Sequence, residues 1–176
     1  YEVHEVSGLI ILVVDLIDGG ELLTPLKKDQ KFEDQEIWRI MTQLALTLDT
    51  LNQLKIVHRD LKHQNVLWKF SDKNFLENQI VNCDFVIYCF EKLCKGSNKD
   101  SDCFLKSAGT RGYMAPEILV QCDNGVAAGE FVLECSGDIY SLGILFYYLL
   151  TLGLPWKENR KDDVVTQNMK SNIDFS

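Results

Sequence analysis

The sequence predicts an α+β fold in which short β-strands come first and helices form the larger part of the chain. The run Leu9–Val14 is continuous, apolar and rich in β-branched residues, and its length is that of a buried strand. Between Asp34 and Leu54, apolar residues recur with the 3.6-residue period of a helix. A second apolar stretch, Leu142–Leu150, predicts a buried helix near the other end.

Length and charge narrow the class of protein. The chain has 176 residues, 46% of them hydrophobic and 25% charged, which is typical of a single soluble globular domain. Its net charge of −8 argues against nucleic acid or an anionic membrane as a partner. Tyr1–Glu5 has no signal-peptide features, and Leu142–Leu150 is too short to cross a bilayer. We therefore expect an intracellular, cytoplasmic protein.

The cysteines do not suggest a metal site. The chain has six of them, and no two are spaced as a Cys-x-x-Cys pair, which argues against structural zinc. Without a secretory signal, we expect free thiols in a reducing compartment.

The N-terminal part predicts a two-stranded hairpin followed by a glycine pair. Tyr1–Glu5 alternates roughly between polar and apolar residues and precedes the strand Leu9–Val14, with a turn expected at Ser7–Gly8. Gly19 and Gly20 then interrupt the chain after the strand. By itself this glycine pair is a weak signal.

The predicted helix from Asp34 to Leu54 leads directly into the stretch Ile56–Leu67. The apolar stripe of the helix is assigned to the core and consists of Ile37, Ile40, Met41, Leu44, Leu48 and Leu51. Beyond the stretch, Val66–Phe70 and Asn78–Asn82 predict two short strands with a turn between them at residues 71–74.

Polar chemistry is concentrated in the stretch Ile56–Leu67. Asp60, Lys62 and Asn65 offer a carboxylate, an ammonium group and an amide within six positions. This set suits phosphoryl transfer, because the carboxylate can accept a hydroxyl proton, the ammonium can offset γ-phosphate charge and the amide oxygen can bind a metal ion. A surface loop with scattered charges is the alternative interpretation.

Two motifs resemble those of the protein kinase family. His58-Arg59-Asp60-Leu61, with Asn65 four positions later, resembles the kinase catalytic loop. Residues 109–117 resemble the kinase segment Gly-Thr-x-x-Tyr-x-Ala-Pro-Glu. The resemblance implies a kinase-like fold with a mostly helical C-lobe, and a hydroxyl at Thr110 that bonds to Asp60 and Lys62. A threonine at this position, with Lys62 two positions past Asp60, favours serine/threonine over tyrosine specificity.

The same resemblance implies a nucleotide site. Backbone groups near Asp15 and Ile17 would bind adenine, Glu21 would face the ribose, and Leu67 would lie beneath the adenine ring. The implied ligand is ATP, and the implied phosphate acceptor is a protein substrate.

The resemblance also implies bound Mg²⁺. Asn65 and Asp84 would hold the ion, Asp84 within Cys83-Asp84-Phe85-Val86, where kinases carry Asp-Phe-Gly. Val86 departs from that motif, and its β-branched side chain disfavours the positive φ that glycine permits. Val86 and the missing small-lobe elements suggest one alternative to an active kinase, a pseudokinase scaffold. A nucleotide-binding regulatory module that occupies the adenine pocket without transfer is the other.

The helix that ends in Leu142–Leu150 resembles the central helix of the kinase large lobe. In the family, an aspartate at its start binds the backbone of the catalytic loop, which here implies Asp138. Leu145 and Leu149 lie four residues apart on one face, and we expect them to pack under Leu22 and Leu67.

The resemblance covers residues 1–176 and predicts a partial kinase domain. Residues 1–14 are assigned to a remnant of an incomplete, β-rich N-lobe, 15–22 to the hinge and 23–176 to a C-lobe that lacks the last helices. No Gly-rich loop or strand lysine precedes Leu9 in this sequence. We therefore expect a serine/threonine kinase sequence that is inactive when isolated as these 176 residues.

Overall fold

In the described part of the chain, the helices and strand β4 (Val66–Lys69) contribute to an apolar core. The computed structural model describes residues 2–28, 30–69, 79–82, 89–90, 109–123, 135–156 and 164–169. The buried core residues come from both halves of the chain: Leu22, Phe32, Ile37, Ile40, Leu44, Leu48, Leu61, Val66, Trp68, Tyr113, Leu142, Ile144, Leu145, Leu149 and Trp156. Leu22, Leu145 and Leu149 lie in this cluster, as expected, whereas Leu67 is half-buried and is not part of it.

An antiparallel hairpin opens the described chain. Strand β1, Glu2–Val6, pairs with strand β2, Leu9–Val13, so that Val6 lies opposite Leu9. The connecting residues Ser7 and Gly8 have φ values of 53° and 80°. Two consecutive positive φ values are those of a type I′ turn, which matches the twist of a hairpin. The predicted turn at Ser7–Gly8 is confirmed.

The prediction that this strand is buried was wrong. The side chains of Leu9, Ile11 and Val13 are all exposed, by 68%, 47% and 46%. A two-stranded ribbon has no second layer of its own, so its apolar side chains are buried only where another element packs on them. The sequence pattern indicates a strand whose apolar side chains favour burial, and it does not specify which element would cover them.

Helix α1, Asp34–Gln53, follows the predicted bounds closely. It begins after Glu33, whose backbone N–H donates to Glu36 Oε2 at 2.8 Å, one half of a capping box. The predicted apolar stripe is confirmed: Ile37, Ile40, Leu44 and Leu48 are buried, and Met41 and Leu51 pack against the core.

Two short antiparallel strand pairs follow α1. Strand β3, Ile56–Val57, pairs with strand β6, Cys89–Phe90. Strand β4, Val66–Lys69, pairs with strand β5, Gln79–Asn82, as the sequence predicted. Phe70, Asn78 and the predicted turn at 71–74 lie outside the described residues.

Three further helices complete the described part of the chain. They are α2, Pro116–Asp123, α3, Ser136–Thr151, and α4, Val164–Met169. Helix α3 contains the predicted apolar stretch and packs against α1, and the residue that caps its C-terminal end, Leu152, has a φ of 59°. The sequence did not predict α4, because residues 157–176 are polar and sparsely apolar. None of the helices in the described ranges has the length and apolar character needed to cross a membrane.

Candidate active site

The backbone of the loop that follows β3 is bound by a buried carboxylate on α3. Asp138 is 4% exposed and accepts hydrogen bonds from His58 N at 2.7 Å and from Arg59 N at 2.9 Å. Burial raises the pKa of the Asp138 carboxyl, and the two backbone N–H donors oppose that rise. Arg59 has a φ of 74°, which a side-chain-bearing residue adopts only at a cost. The contact that the sequence resemblance implied is therefore present.

Four predicted site residues meet in one hydrogen-bonded cluster. Thr110 Oγ1 donates to Asp60 Oδ1 at 2.7 Å, and Lys62 Nζ lies 2.8 Å from both Asp60 Oδ2 and Thr110 Oγ1. Asn65 Nδ2 donates to Asp60 Oδ2 at 3.0 Å and to the Asp60 carbonyl at 2.8 Å. The predicted bonds from Thr110 to Asp60 and Lys62 are thus present, although 50 residues separate Thr110 from Asp60.

The oxygen atoms of Asp60 and Asn65 in this cluster differ in how many hydrogen bonds they accept. Within the described ranges, Asp60 Oδ2 accepts from two donors and Oδ1 from one, so Oδ1 has capacity for one more. Both amide hydrogens of Asn65 are directed at Asp60, which leaves its amide oxygen as an acceptor for another partner. The cluster can therefore accept a proton donor at Asp60 and a hard cation at Asn65.

The second predicted metal ligand cannot be placed. Asp84, with Phe85 and Val86, lies outside the described residues. Among the residues that the structure does describe, no group of three or more His, Cys, Asp or Glu side chains could hold a metal ion. The assignment of Asn65 and Asp84 to Mg²⁺ stays a prediction.

Two of the predicted nucleotide-binding residues, Glu21 and Leu67, are paired at β4. Glu21 forms a β-bridge with Leu67, and Leu22 N donates to the Val66 carbonyl at 2.8 Å. Trp68 extends this pairing, because its backbone N–H and carbonyl bond to Gly20 and Gly19 at 2.9 and 3.1 Å.

Gly19 cannot carry a side chain in this arrangement, since a Cβ there would lie 2.1 Å from the Trp68 carbonyl oxygen. The segment that contains Glu21 is thereby fixed against Leu67. Asp15 is exposed and Ile17 is half-buried just before it.

Glycine is also required directly before Thr110. Gly109 has a φ of +121°, and a Cβ there would lie 2.6 Å from the Arg59 carbonyl oxygen. Any side chain would push this part of the chain away from the loop that carries Asp60. The position of the Thr110 hydroxyl therefore depends on its glycine neighbour.

His63 follows Lys62 in the chain and contacts Tyr113 and Tyr148, and the sequence did not mark it. Its Nδ1 atom lies 2.7 Å from the Tyr113 hydroxyl, and its ring stacks on Tyr148 with a centroid distance of 4.5 Å. Burial lowers the pKa of the His63 imidazole below its ordinary value of 6.5, Glu21 raises it, and Lys62 lowers it. The only sequence signal was a histidine between Lys62 and Asn65.

We expect His63 to make the folded state less stable at acidic pH. The unfolded chain binds the proton near pH 6.5, whereas the folded chain binds it only at a lower pH. The free energy of unfolding is therefore unaffected by His63 above about pH 6.5, and it decreases as the pH falls from there towards the pKa of the folded state. In urea denaturation, the free energy of unfolding should decrease less between pH 8 and pH 5 for His63→Gln than for the parent protein. Equal losses would contradict this assignment.

Comparison with known proteins identifies the family. The family model of the protein kinase domain matches residues 1–175. Calcium-dependent protein kinase 6 of Plasmodium berghei (strain Anka) is 31% identical over 175 residues, which are 99% of this chain and 10% of that protein. A putative ribosomal protein S6 kinase alpha-1 of Caenorhabditis elegans is 31% identical over 169 residues, 96% of this chain and 19% of the relative. Human ribosomal protein S6 kinase alpha-6 is 33% identical over 161 residues, which are 92% of this chain and 19% of that protein.

These matches agree with the elements and contacts described above. The chain spans between 10% and 19% of the length of these three relatives, so it corresponds to a limited part of each. The family match covers nearly the whole chain and confirms the predicted kinase-like α+β fold. This chain belongs to the protein kinase family, among relatives of the serine/threonine type.

Proposed function

We propose that the protein to which this chain belongs transfers the γ-phosphate of ATP to a serine or threonine hydroxyl of a protein substrate. The observation that carries the proposal is the cluster of Asp60, Lys62, Asn65 and Thr110. Phosphoryl transfer requires accurate positioning and charge stabilisation rather than a covalent intermediate on the protein. A carboxylate with an adjacent ammonium and hydroxyl, all mutually hydrogen-bonded, suits that requirement.

Each residue has a distinct role in this proposal. Asp60 Oδ1 retains an acceptor site and receives the proton of the substrate hydroxyl as its oxygen bonds to the γ-phosphorus. The bond from that phosphorus to the ADP oxygen breaks in the same transfer. Lys62 lies within 2.8 Å of Asp60 and can offset the charge on the transferring phosphoryl group. Thr110 orients both side chains.

Members of the protein kinase family use ATP and Mg²⁺. We assign the ion to Asn65 and Asp84, and the amide oxygen of Asn65 that faces away from Asp60 fits a hard cation. When bound, Mg²⁺ neutralises phosphate charge. We assign adenine to the backbone near Asp15 and Ile17, with Glu21 and Leu67 beside the nucleoside.

The proposed domain division follows from these assignments. Residues 1–14 belong to the small lobe, residues 15–22 to the hinge between lobes, and residues 23–176 to the large lobe. Because ATP is consumed, we also propose an intracellular, cytoplasmic location.

The proposal is tested by phosphoryl transfer from labelled ATP in the presence of Mg²⁺. The whole protein should label a generic Ser/Thr peptide library, and hydrolysis of the product should release phosphoserine or phosphothreonine. Exclusive phosphotyrosine would contradict the specificity. ATP binding without any transfer would instead favour the nucleotide-binding regulatory module.

We expect the Thr110 hydroxyl to be required for efficient transfer. Thr110→Val keeps the shape of the side chain and removes the bonds to Asp60 and Lys62, so kcat should fall roughly 10- to 100-fold. Thr110→Ser retains the hydroxyl, so its kcat should stay within a few-fold of that of the parent protein. Steady-state kinetics on the whole protein measure both, and the KM for ATP should be unchanged. A valine variant as active as the serine variant would show that the hydroxyl has no role.

A further inference from the structure

Four successive backbone carbonyls next to Thr110 are all bound by side chains. We call residues Arg111–Met114 the 111–114 turn. Buried backbone acceptors normally find partners in a helix or sheet, but in this turn side chains provide them. The donors come from three separate places in the C-terminal half: Asn168 Nδ2 to the carbonyls of Arg111 and Met114, Trp156 Nε1 to Gly112, and Ser141 Oγ to Tyr113.

Asn168 contributes the largest share of these bonds. It lies on α4, is 0% exposed, and donates to the carbonyls of Met114 at 2.7 Å and Arg111 at 3.1 Å. Its Oδ1 atom accepts from the Tyr140 hydroxyl at 2.6 Å. Burial raises the pKa of Tyr140 to about 12, and Glu117 adds to that rise, so the hydroxyl keeps its proton and donates. The orientation of the amide is thereby fixed.

The turn is connected directly to the catalytic cluster. Tyr113 N donates to the Thr110 carbonyl at 2.8 Å, so the conformation of the turn determines where Thr110 lies. The Thr110 hydroxyl in turn bonds to Asp60 and Lys62. A displacement of the turn by even 1 Å would lengthen these bonds beyond hydrogen-bond range.

We propose that Asn168 is a positioning residue for phosphoryl transfer, which acts through the 111–114 turn on Thr110. This inference rests on the proposed function. Asn168 touches neither Asp60 nor Lys62 in the described contacts, and its effect is transmitted by the backbone between Arg111 and Met114. No sequence motif marked it, because a lone asparagine in a polar stretch has no distinguishing pattern.

Substitution of Asn168 should lower turnover without changing nucleotide binding. Asn168→Asp has nearly the same shape but places a second carboxylate oxygen, an acceptor, against two carbonyl oxygens. We expect kcat to fall at least 10-fold while the KM for ATP stays within two-fold of the parent. Tyr140→Phe is the milder second variant, which removes one hydroxyl and should lower kcat about three-fold. Asn52→Asp, the same change at an exposed site on α1, is the matched control.

A double-mutant cycle with Thr110 separates positioning from general stability. If Asn168 acts through the Thr110 hydroxyl, Asn168→Asp should have less than a two-fold effect in a Thr110→Val background. A purely structural role predicts that Asn168→Asp lowers kcat by the same factor in the parent protein and in the Thr110→Val background. Equal reductions, with the parent protein active and dependent on Asp60, overturn the positioning role and leave the proposed function intact.

Limited proteolysis reports how readily the 111–114 turn opens, and it does not depend on catalysis. The Arg111 side chain is exposed, whereas its carbonyl accepts from Asn168, so trypsin should cleave the Arg111–Gly112 bond slowly in the parent protein. Asn168→Asp and Tyr140→Phe should accelerate that cleavage at least five-fold, as followed by mass spectrometry, and Asn52→Asp should not. Unchanged cleavage overturns the inference. No Asp60-dependent transfer by the parent protein overturns the proposed function, and the positioning role with it.

Discussion

Asp60→Asn should reduce phosphoryl transfer by the whole protein by about 10²- to 10⁴-fold, the range that a general base contributes. The structure adds a second reason for a large effect. Both carboxylate oxygens of Asp60 accept hydrogen bonds, from Thr110 on one side and from Lys62 and Asn65 on the other. An amide has only one acceptor oxygen. Its NH2 group would either face the donors Lys62 and Asn65 or take the place of the oxygen that accepts from the Thr110 hydroxyl.

The measurement is kcat with a serine/threonine peptide, accompanied by nucleotide affinity and thermal stability. Asp49→Asn is the matched control, because Asp49 is exposed on α1 and contacts only Gln53 in the described hydrogen bonds. We expect the control to keep parental activity. Retention of more than a tenth of the parental kcat by Asp60→Asn, with a folded protein, would remove Asp60 from the role of base.

Asp138→Ala should be among the most destabilising single changes in the chain. It leaves the backbone N–H groups of His58 and Arg59 without their acceptor, at a cost of about 1–3 kcal/mol for each buried group. Arg59 also has a positive φ, and the loop would relax once its tether is removed. We therefore expect the free energy of unfolding to fall by about 2–6 kcal/mol, a large part of the 5–15 kcal/mol typical of a domain.

Urea denaturation and the melting temperature test this expectation. Asp34→Ala provides the matched control, since Asp34 also lies in the first turn of a helix but is exposed. The control loses only the interaction with the helix dipole, about 0.3–1 kcal/mol. If Asp138→Ala costs no more than Asp34→Ala, then the two backbone bonds contribute little. We expect catalysis to fall even at temperatures where the Asp138 variant is folded, because Asp60 follows Arg59 directly.

The regular elements could be predicted because their causes are local. The 3.6-residue period fixed α1 nearly to the residue, and the Ser7–Gly8 pair marked a turn because glycine adopts a positive φ without strain. Asp60, Lys62 and Asn65 lie within six positions, so their proximity follows from the loop itself. The contacts of Thr110 and Asp138 were expected from the resemblance to kinases, since no local pattern connects residues 50 and 80 positions apart.

Only the tertiary structure decided the remaining features. The exposure of β2 depends on which element packs against it, and the strand pattern does not contain that information. His63 and Asn168 acquire their roles from distant partners, Tyr113 and the carbonyls of the 111–114 turn. A polar side chain is specified by the donors and acceptors that folding brings around it, whereas an apolar stripe is specified by its own spacing. The sequence alone therefore determined α1, the apolar part of α3 and the composition of the catalytic loop, and folding decided which polar residues support that loop.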